Sequence, residues 1–224
     1  MNTSQPNNPK PGLVKNLLVL AVIGLLAALT LTGVHQLTEQ RIVDETQRRA
    51  LASLQQVLPP EAYNNALIDD YFTARIAGLS GAATIYRARF DGTPVAILAD
   101  VVTDQGYSGD IRLLIAVDVS GQVRSVRILD HRETPGLGDK IERERSEWIT
   151  QFAKRSLGDP PRAAWESDQR QGAFDTLSSA TITSSAVIRA IRDVLVWYQN
   201  EQDEIYALRS EAGDGQIEAK DGRE

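Results

Sequence analysis

The chain of 224 residues has no cysteine, one methionine and two histidines. Without a thiol it can form no disulfide, hold no iron–sulfur cluster through sulfur, attach no cofactor through a cysteinyl bond and carry no lipoprotein-type acylated terminus. His35 and His131 are far apart, so clustered zinc or haem ligation lacks a ligand set and no metal site is expected. Basic residues are the minority, 24 against 30 acidic, for a net charge of −6. No basic patch is interleaved with aromatics, which argues against a nucleic-acid partner. No Gly-x-Ser-x-Gly elbow occurs, so a Ser-His-Asp hydrolase has residue types but no nucleophile turn.

What is present begins with an apolar span. Residues 1–12, rich in Asn and Pro, read as a short disordered tail. From Leu13 to Val34 the chain is almost wholly apolar, broken only by Lys15, Asn16, Thr30, Thr32 and two glycines. A membrane-crossing helix needs about 20 such residues, whereas a cleaved signal has an apolar region of about 7–15, so residues 13–34 are expected to be one uncleaved transmembrane helix. Lys10 and Lys15 on one side nearly balance Arg41, Arg48 and Arg49 on the other, so charge adds little to the orientation. A short tail inside and a larger exported domain is the arrangement expected.

Val43, Ala50, Leu51, Leu54, Val57 and Leu58 keep a helical period up to Pro59-Pro60, which predicts a helical stalk over 35–60. A second short helix is expected from Glu61 to Phe72. The pattern then becomes that of strands: Thr84–Phe90 and Val95–Thr103 flank the turn signal Asp91-Gly92, and Ile111–Val119 and Val123–Leu129 flank Ser120-Gly121. A charged helix is expected over Lys140–Leu157, ended by Gly158-Asp159-Pro160-Pro161. The fold class is α+β, with one domain over 61–200 built on an antiparallel sheet with flanking helices, and an acidic disordered tail over 201–224.

Ahead of the last helix stands Asp175-Thr176-Leu177-Ser178-Ser179-Ala180-Thr181-Ile182-Thr183-Ser184-Ser185. Val187, Ile191, Val194, Leu195 and Tyr198 follow at helical spacing, so a helix with one apolar face begins inside the run. Two readings stand. The hydroxyls are ordinary N-caps, or the helix start seats a phosphate on free N–H groups at the positive end of the dipole.

The run resembles the Asp-x-x-Ser/Thr-Gly-Ala-Thr flavinylation motif of the FMN-binding domains in Rnf/Rsx electron-transport complexes and sodium-pumping NADH:quinone reductases. Asp175, Ser178, Ala180 and Thr181 match, and Ser179 stands where that family has Gly. Ser80-Gly81-Ala82-Ala83-Thr84 is a near-copy without the upstream Asp, and is expected to be a decoy. His131-Arg132-Glu133-Thr134-Pro135-Gly136-Leu137-Gly138 resembles the His-x-Glu-Thr-Pro-Gly-Leu-Gly loop of the G subunit in Rnf complexes, with Gly106-Tyr107-Ser108-Gly109 upstream as in that family.

The resemblance implies FMN joined to the Thr181 hydroxyl by a phosphoester, placed there by a flavin transferase. It also implies a cofactor site including Asp175, Ser178, Ser179, Ala180, Thr183, Tyr107, Ser108, His131, Glu133, Thr134, Pro135, Gly136, Leu137 and Gly138. The chain would then be an electron-relaying subunit of an ion-translocating complex in the bacterial inner membrane, single-pass, with its domain on the periplasmic side. Its partners would be the other subunits, the transferase and membrane lipid. The alternative is a flavin-free assembly or ligand-binding subunit of the same fold.

Overall fold

The apolar runs between Thr84 and Leu129 pair edge to edge in a computed structural model that describes residues 11–208. Five strands form one antiparallel meander in sequence order: β1 (Tyr71–Ala74), β2 (Ser80–Phe90), β3 (Thr93–Thr103), β4 (Ile111–Asp118) and β5 (Val123–His131). The β2–β3 hairpin turns at Asp91 and Gly92, both with positive φ (49° and 77°), the backbone a tight two-residue hairpin requires. Successive side chains alternate between faces. Ile97, Ala99, Val101, Leu113, Ile115 and Val117 join the core built with the final helix, α2 (Thr181–Ile205). Ala96, Leu98, Leu114 and Ala116 join a second core with Leu54, Val57, Leu58, Tyr63 and Leu67. Because β3 and β4 are buried on both faces, they read as nearly continuous apolar runs.

The first helix, α1, covers Pro11–Val57 and stops before Pro59-Pro60 as expected. The chain divides into two units, 1–49 and 50–224. In the first unit, Leu18, Leu20, Ile23, Leu25, Leu26 and Leu29 are exposed. Among the described residues, no helix is long and apolar enough to cross a membrane; the side chains of 11–14, 17, 31 and 33–47, which include His35, lie outside the described ones. The expected N-terminal tail, apart from its last two residues, also falls outside them.

Three expectations are corrected. Glu61–Phe72 is not a helix but two single 3-10 turns, Pro60–Ala62 and Leu67–Asp69, followed by the unforeseen strand β1. The edge of β2 captures this segment: Asn64 N–H donates to the Arg89 carbonyl at 2.9 Å, Asn65 Nδ2 donates to the Arg87 carbonyl at 2.9 Å, and Arg89 N–H donates to Asn65 Oδ1 at 2.8 Å. Lys140–Leu157 likewise forms only 3-10 turns, Asp139–Ile141 and Trp148–Phe152. Its end returns to β5, where Val123 N–H donates to the Arg155 carbonyl and Lys154 N–H to the Val123 carbonyl, at 2.8 and 2.7 Å. Backbone groups spent on a neighbouring strand cannot also close a helix.

The third correction concerns the tail, since α2 runs on to Ile205 instead of ending near 200. Arg87 holds that end. It is 2% exposed, meets Asp70 at 2.6 Å, lies 5.4 Å over the Phe72 ring, and donates to the carbonyls of Ile205, at 3.0 Å, and Leu208. Residues 209–224, the remainder of the expected acidic tail, lie outside the described residues.

Candidate functional site

The helix start is set by what does not cap it. Ala180 occupies the N-cap of α2, and among the described residues no side-chain cap bond closes its first turn. The hydroxyl that closes the approach comes from inside the helix: Ser184 Oγ accepts from Leu177 N–H at 3.0 Å and donates to the Ala180 carbonyl at 2.8 Å. The ordinary-cap reading of the Ser/Thr run therefore does not describe this helix. The first N–H groups of a helix have no intrahelical acceptor, so here they stay available to an external anion.

Upstream, the entry to the motif is clamped. Asp175 is exposed, but its carbonyl accepts from Trp148 Nε1 at 2.7 Å and from Gln151 Nε2 at 3.3 Å, and its N–H donates to Gln151 Oε1 at 2.9 Å. Trp148, Phe152, Trp165 and Phe174 pack ring against ring beneath it, with Trp165 and Phe174 centroids 4.5 Å apart. Ser179, where the resembling family has Gly, does not have positive φ, so its Cβ meets no backbone strain. Its hydroxyl lies 3.5 Å from the Leu137 carbonyl.

Above the helix start opens a cavity of about 360 Å³, lined by Ser178, Ser179, Ala180, Thr181, Ile182 and Thr183 from the motif, Glu133, Thr134, Leu137 and Gly138 from one loop, and Tyr107 from another. Such a volume lies within the range of about 300–1,000 Å³ typical of small-molecule sites. The apolar part of the rim is exposed: Tyr107 by 70%, Ile182 by 51% and Leu137 by 47%. Among the described residues, no side chain lining the cavity is cationic.

Two threonines compete for the chemistry, and burial separates them. Thr183 is fully buried, and its hydroxyl donates to Glu133 Oε2 at 2.6 Å. Thr181 is only half buried and lines the cavity. Glu133 itself is 5% exposed; its Oε1 accepts from Ser108 N–H at 3.1 Å. Its own N–H donates to His131 Nδ1 at 3.0 Å, which leaves Nε2 of the neutral ring to carry the proton toward Glu142 Oε1, 2.8 Å away.

Most of the residues singled out in the sequence thus meet around one cavity. Five do not line it: Asp175, Ser108, His131, Pro135 and Gly136. Asp175 and Ser108 act through the backbone bonds just described, whereas His131 and Pro135 line a separate polar cavity of about 350 Å³ with Asp139, Glu142 and Arg145. Gly136 supplies a turn with φ of 79°. Ile182 was not foreseen, although its place between Thr181 and Thr183 was the available signal. The near-copy at 80–84 lies in β2 and contributes nothing to the cavity lining.

Residues 106–196 match the FMN-binding domain family. The chain is 34% identical over 204 residues to the G subunit of the ion-translocating oxidoreductase complex of Pseudomonas aeruginosa (strain UCBPP-PA14), covering 90% of this chain and 95% of that protein. It is 36% identical over 200 residues to the G subunit of the same complex in Escherichia coli O157:H7, covering 89% and 95%. Against that of Shewanella loihica (strain ATCC BAA-1088 / PV-4) the figures are 35% over 196 residues, covering 86% and 92%. The chain belongs to the family of G subunits of ion-translocating oxidoreductase complexes, proteins with an FMN-binding domain.

Proposed function

We propose that this chain is a membrane-anchored electron-relay subunit whose FMN is held by a phosphoester to the Thr181 hydroxyl. The observation that carries the reading is the pairing of a half-buried threonine hydroxyl with an uncapped helix start on one cavity wall. A phosphate joined to Thr181 is served by the first-turn N–H groups and by the positive end of the α2 dipole. The cavity fits a flavin-sized group, with polar donors on its helix side and Tyr107, Leu137 and Ile182 offering apolar surface at the mouth. When bound, the flavin supplies the redox chemistry; the protein positions it and tunes its surroundings.

A covalent bond suits this wall. With no lysine or arginine among the described residues of the lining, a phosphate there would have neutral donors and a helix dipole to hold it, and the buried Glu133 carboxylate nearby opposes a second negative charge. The ester keeps the group in place where these contacts are weak. Membrane attachment is supported by the apolar span 13–34 and by the exposed leucines of α1, which gain by leaving water. The domain then lies on the periplasmic side, and the other subunits and a flavin transferase are the partners this role requires.

The test is expression of the full chain with an active flavin transferase. Denaturing gels under ultraviolet light should show a fluorescent band, and peptide mass mapping should place FMN on residue 181. Thr181→Ala should abolish the band, whereas any flavin found in Thr183→Ala should still be on 181. A band that survives Thr181→Ala rejects the attachment site. A wild-type chain that never fluoresces supports a flavin-free assembly subunit instead.

A further inference from the structure

Glu133 is crowded in a way that a mere cavity wall does not require. A Cβ on Gly106 would lie 2.8 Å from Glu133 Oε1 and 2.3 Å from the Gly109 carbonyl oxygen. A Cβ on Gly138 would lie 2.7 Å from Glu133 Cβ and 2.9 Å from Oε2. Two loops have therefore closed on one carboxylate with glycine at each contact. Of its two oxygens, one takes the Ser108 N–H of the β3–β4 loop and the other takes the Thr183 hydroxyl in the first turn of α2.

We propose that Glu133 is a positioning residue: its carboxylate ties the β3–β4 loop and the 132–138 loop to the start of α2, and this tie holds the Thr181 hydroxyl in the geometry needed to receive a flavin phosphate. The donor class is a flavin dinucleotide presented by the transferase: the Thr181 oxygen forms the new O–P bond, the pyrophosphate bond breaks, the nucleoside monophosphate leaves and the hydroxyl proton passes to solvent. The inference rests on the attachment reading above, but its physical core, the tie itself, exists in the protein without flavin. Thr183 and Thr181 lie two residues apart at the start of one helix, so anchoring the first on a buried acceptor restrains the second. The carboxylate suits the role because each oxygen accepts, and acceptance by a charged group makes stronger hydrogen bonds than a neutral acceptor. Tyr107 and Leu137, which flank Ser108 and Gly138, follow the same tie to their places at the cavity rim.

The experiment compares the full-length wild type with Thr183→Val, Thr183→Ser and Glu133→Gln. Two readouts are taken: the initial rate of FMN attachment by a transferase, and amide hydrogen exchange of residues 105–110 and 133–138 in flavin-free protein. Thr183→Val keeps the shape and removes the donor, so attachment should slow on the order of tenfold to a hundredfold, the scale of a small misplacement. Exchange in both loops should quicken while that of β3 and β4 stays as in wild type. Thr183→Ser restores the hydroxyl and should recover both readouts. Glu133→Gln, with one acceptor oxygen, should fall between.

Unchanged loop exchange in Thr183→Val overturns the tie. Quickened exchange with an unchanged attachment rate overturns its positioning role. Equal slowing by Ile115→Val, a core change away from the site, would reduce the effect to general stability and also reject the proposal. If wild type accepts no flavin at all, the attachment reading has failed and so has the positioning role, whereas the exchange data still decide the tie.

Discussion

Gly138→Ala tests the packing around Glu133 most sharply. The added methyl carbon would lie 2.7 Å from Glu133 Cβ, 2.9 Å from Oε2 and 3.3 Å from Cγ. The first of these atoms is attached directly to the backbone and cannot swing aside, so the loop itself must shift. Oε2 is the oxygen that accepts from Thr183. Overpacking costs about 1–3 kcal/mol, and losing a hydrogen bond to a charged group costs about 1.5–3 kcal/mol, so the variant should lose roughly 4 kcal/mol. For a domain of this size that corresponds to about 8–16 °C in Tm.

Gly136→Ala is the matched control. It has φ of 79° but no atom within 4 Å of the new carbon, so only backbone strain of about 1–2 kcal/mol applies. Unfolding followed by tryptophan fluorescence, with the flavin-free full chain, gives both values. The double variant Gly138→Ala/Thr183→Val should cost little more than Gly138→Ala alone, because both changes break one hydrogen bond. A Gly138→Ala Tm within about 2 °C of wild type, or full additivity in the double variant, would refute the reasoning.

Other expectations follow from separate parts of the molecule. Arg87→Met leaves the Ile205 and Leu208 carbonyls without their Arg87 donor and Asp70 with Arg89 and a long Asn65 bond, and should cost about 3–5 kcal/mol in urea unfolding. Trp165→Ala empties a fully buried site against Phe152 and Phe174 and removes the Nε1 bond to the Ser156 carbonyl, for about 3–5 kcal/mol by the same measurement. Burial raises the phenol pKa of Tyr86, Tyr198 and Tyr206. Their stabilising contribution should be complete below the unfolded value of about 10 and decline as pH rises through the higher folded values. Tyr206→Phe should flatten that alkaline limb in a series of unfolding curves. Because Ser179 carries no backbone strain, Ser179→Gly should leave the rate of flavin attachment within about twofold of wild type; a large gain would mean that the Cβ itself obstructs the transferase.

By itself the sequence determined the elements whose signal is local. The 3.6-residue period of Val187 to Tyr198 became the buried face of α2, Asp91-Gly92 became a hairpin turn with both φ values positive, and Pro59-Pro60 bounded α1. Those outcomes need only backbone sterics and side-chain periodicity within a few residues. Tertiary structure decided where backbone groups had a better partner elsewhere. The segment after Pro60 gave up its helix to the edge of β2, and the chain after Lys140 gave up its own to β5. The site divides in the same way. Its residue types were legible as motifs, but only the fold brings Gly106, Ser108, Glu133, Gly138 and Thr183 together across 77 positions of sequence and leaves Thr181 facing open space while Thr183 is sealed on a carboxylate. The motif resemblance singles out Thr181 over Thr183, two positions on, but the physical difference between them is set by a glutamate fifty residues upstream, which accepts from one hydroxyl and not from the other.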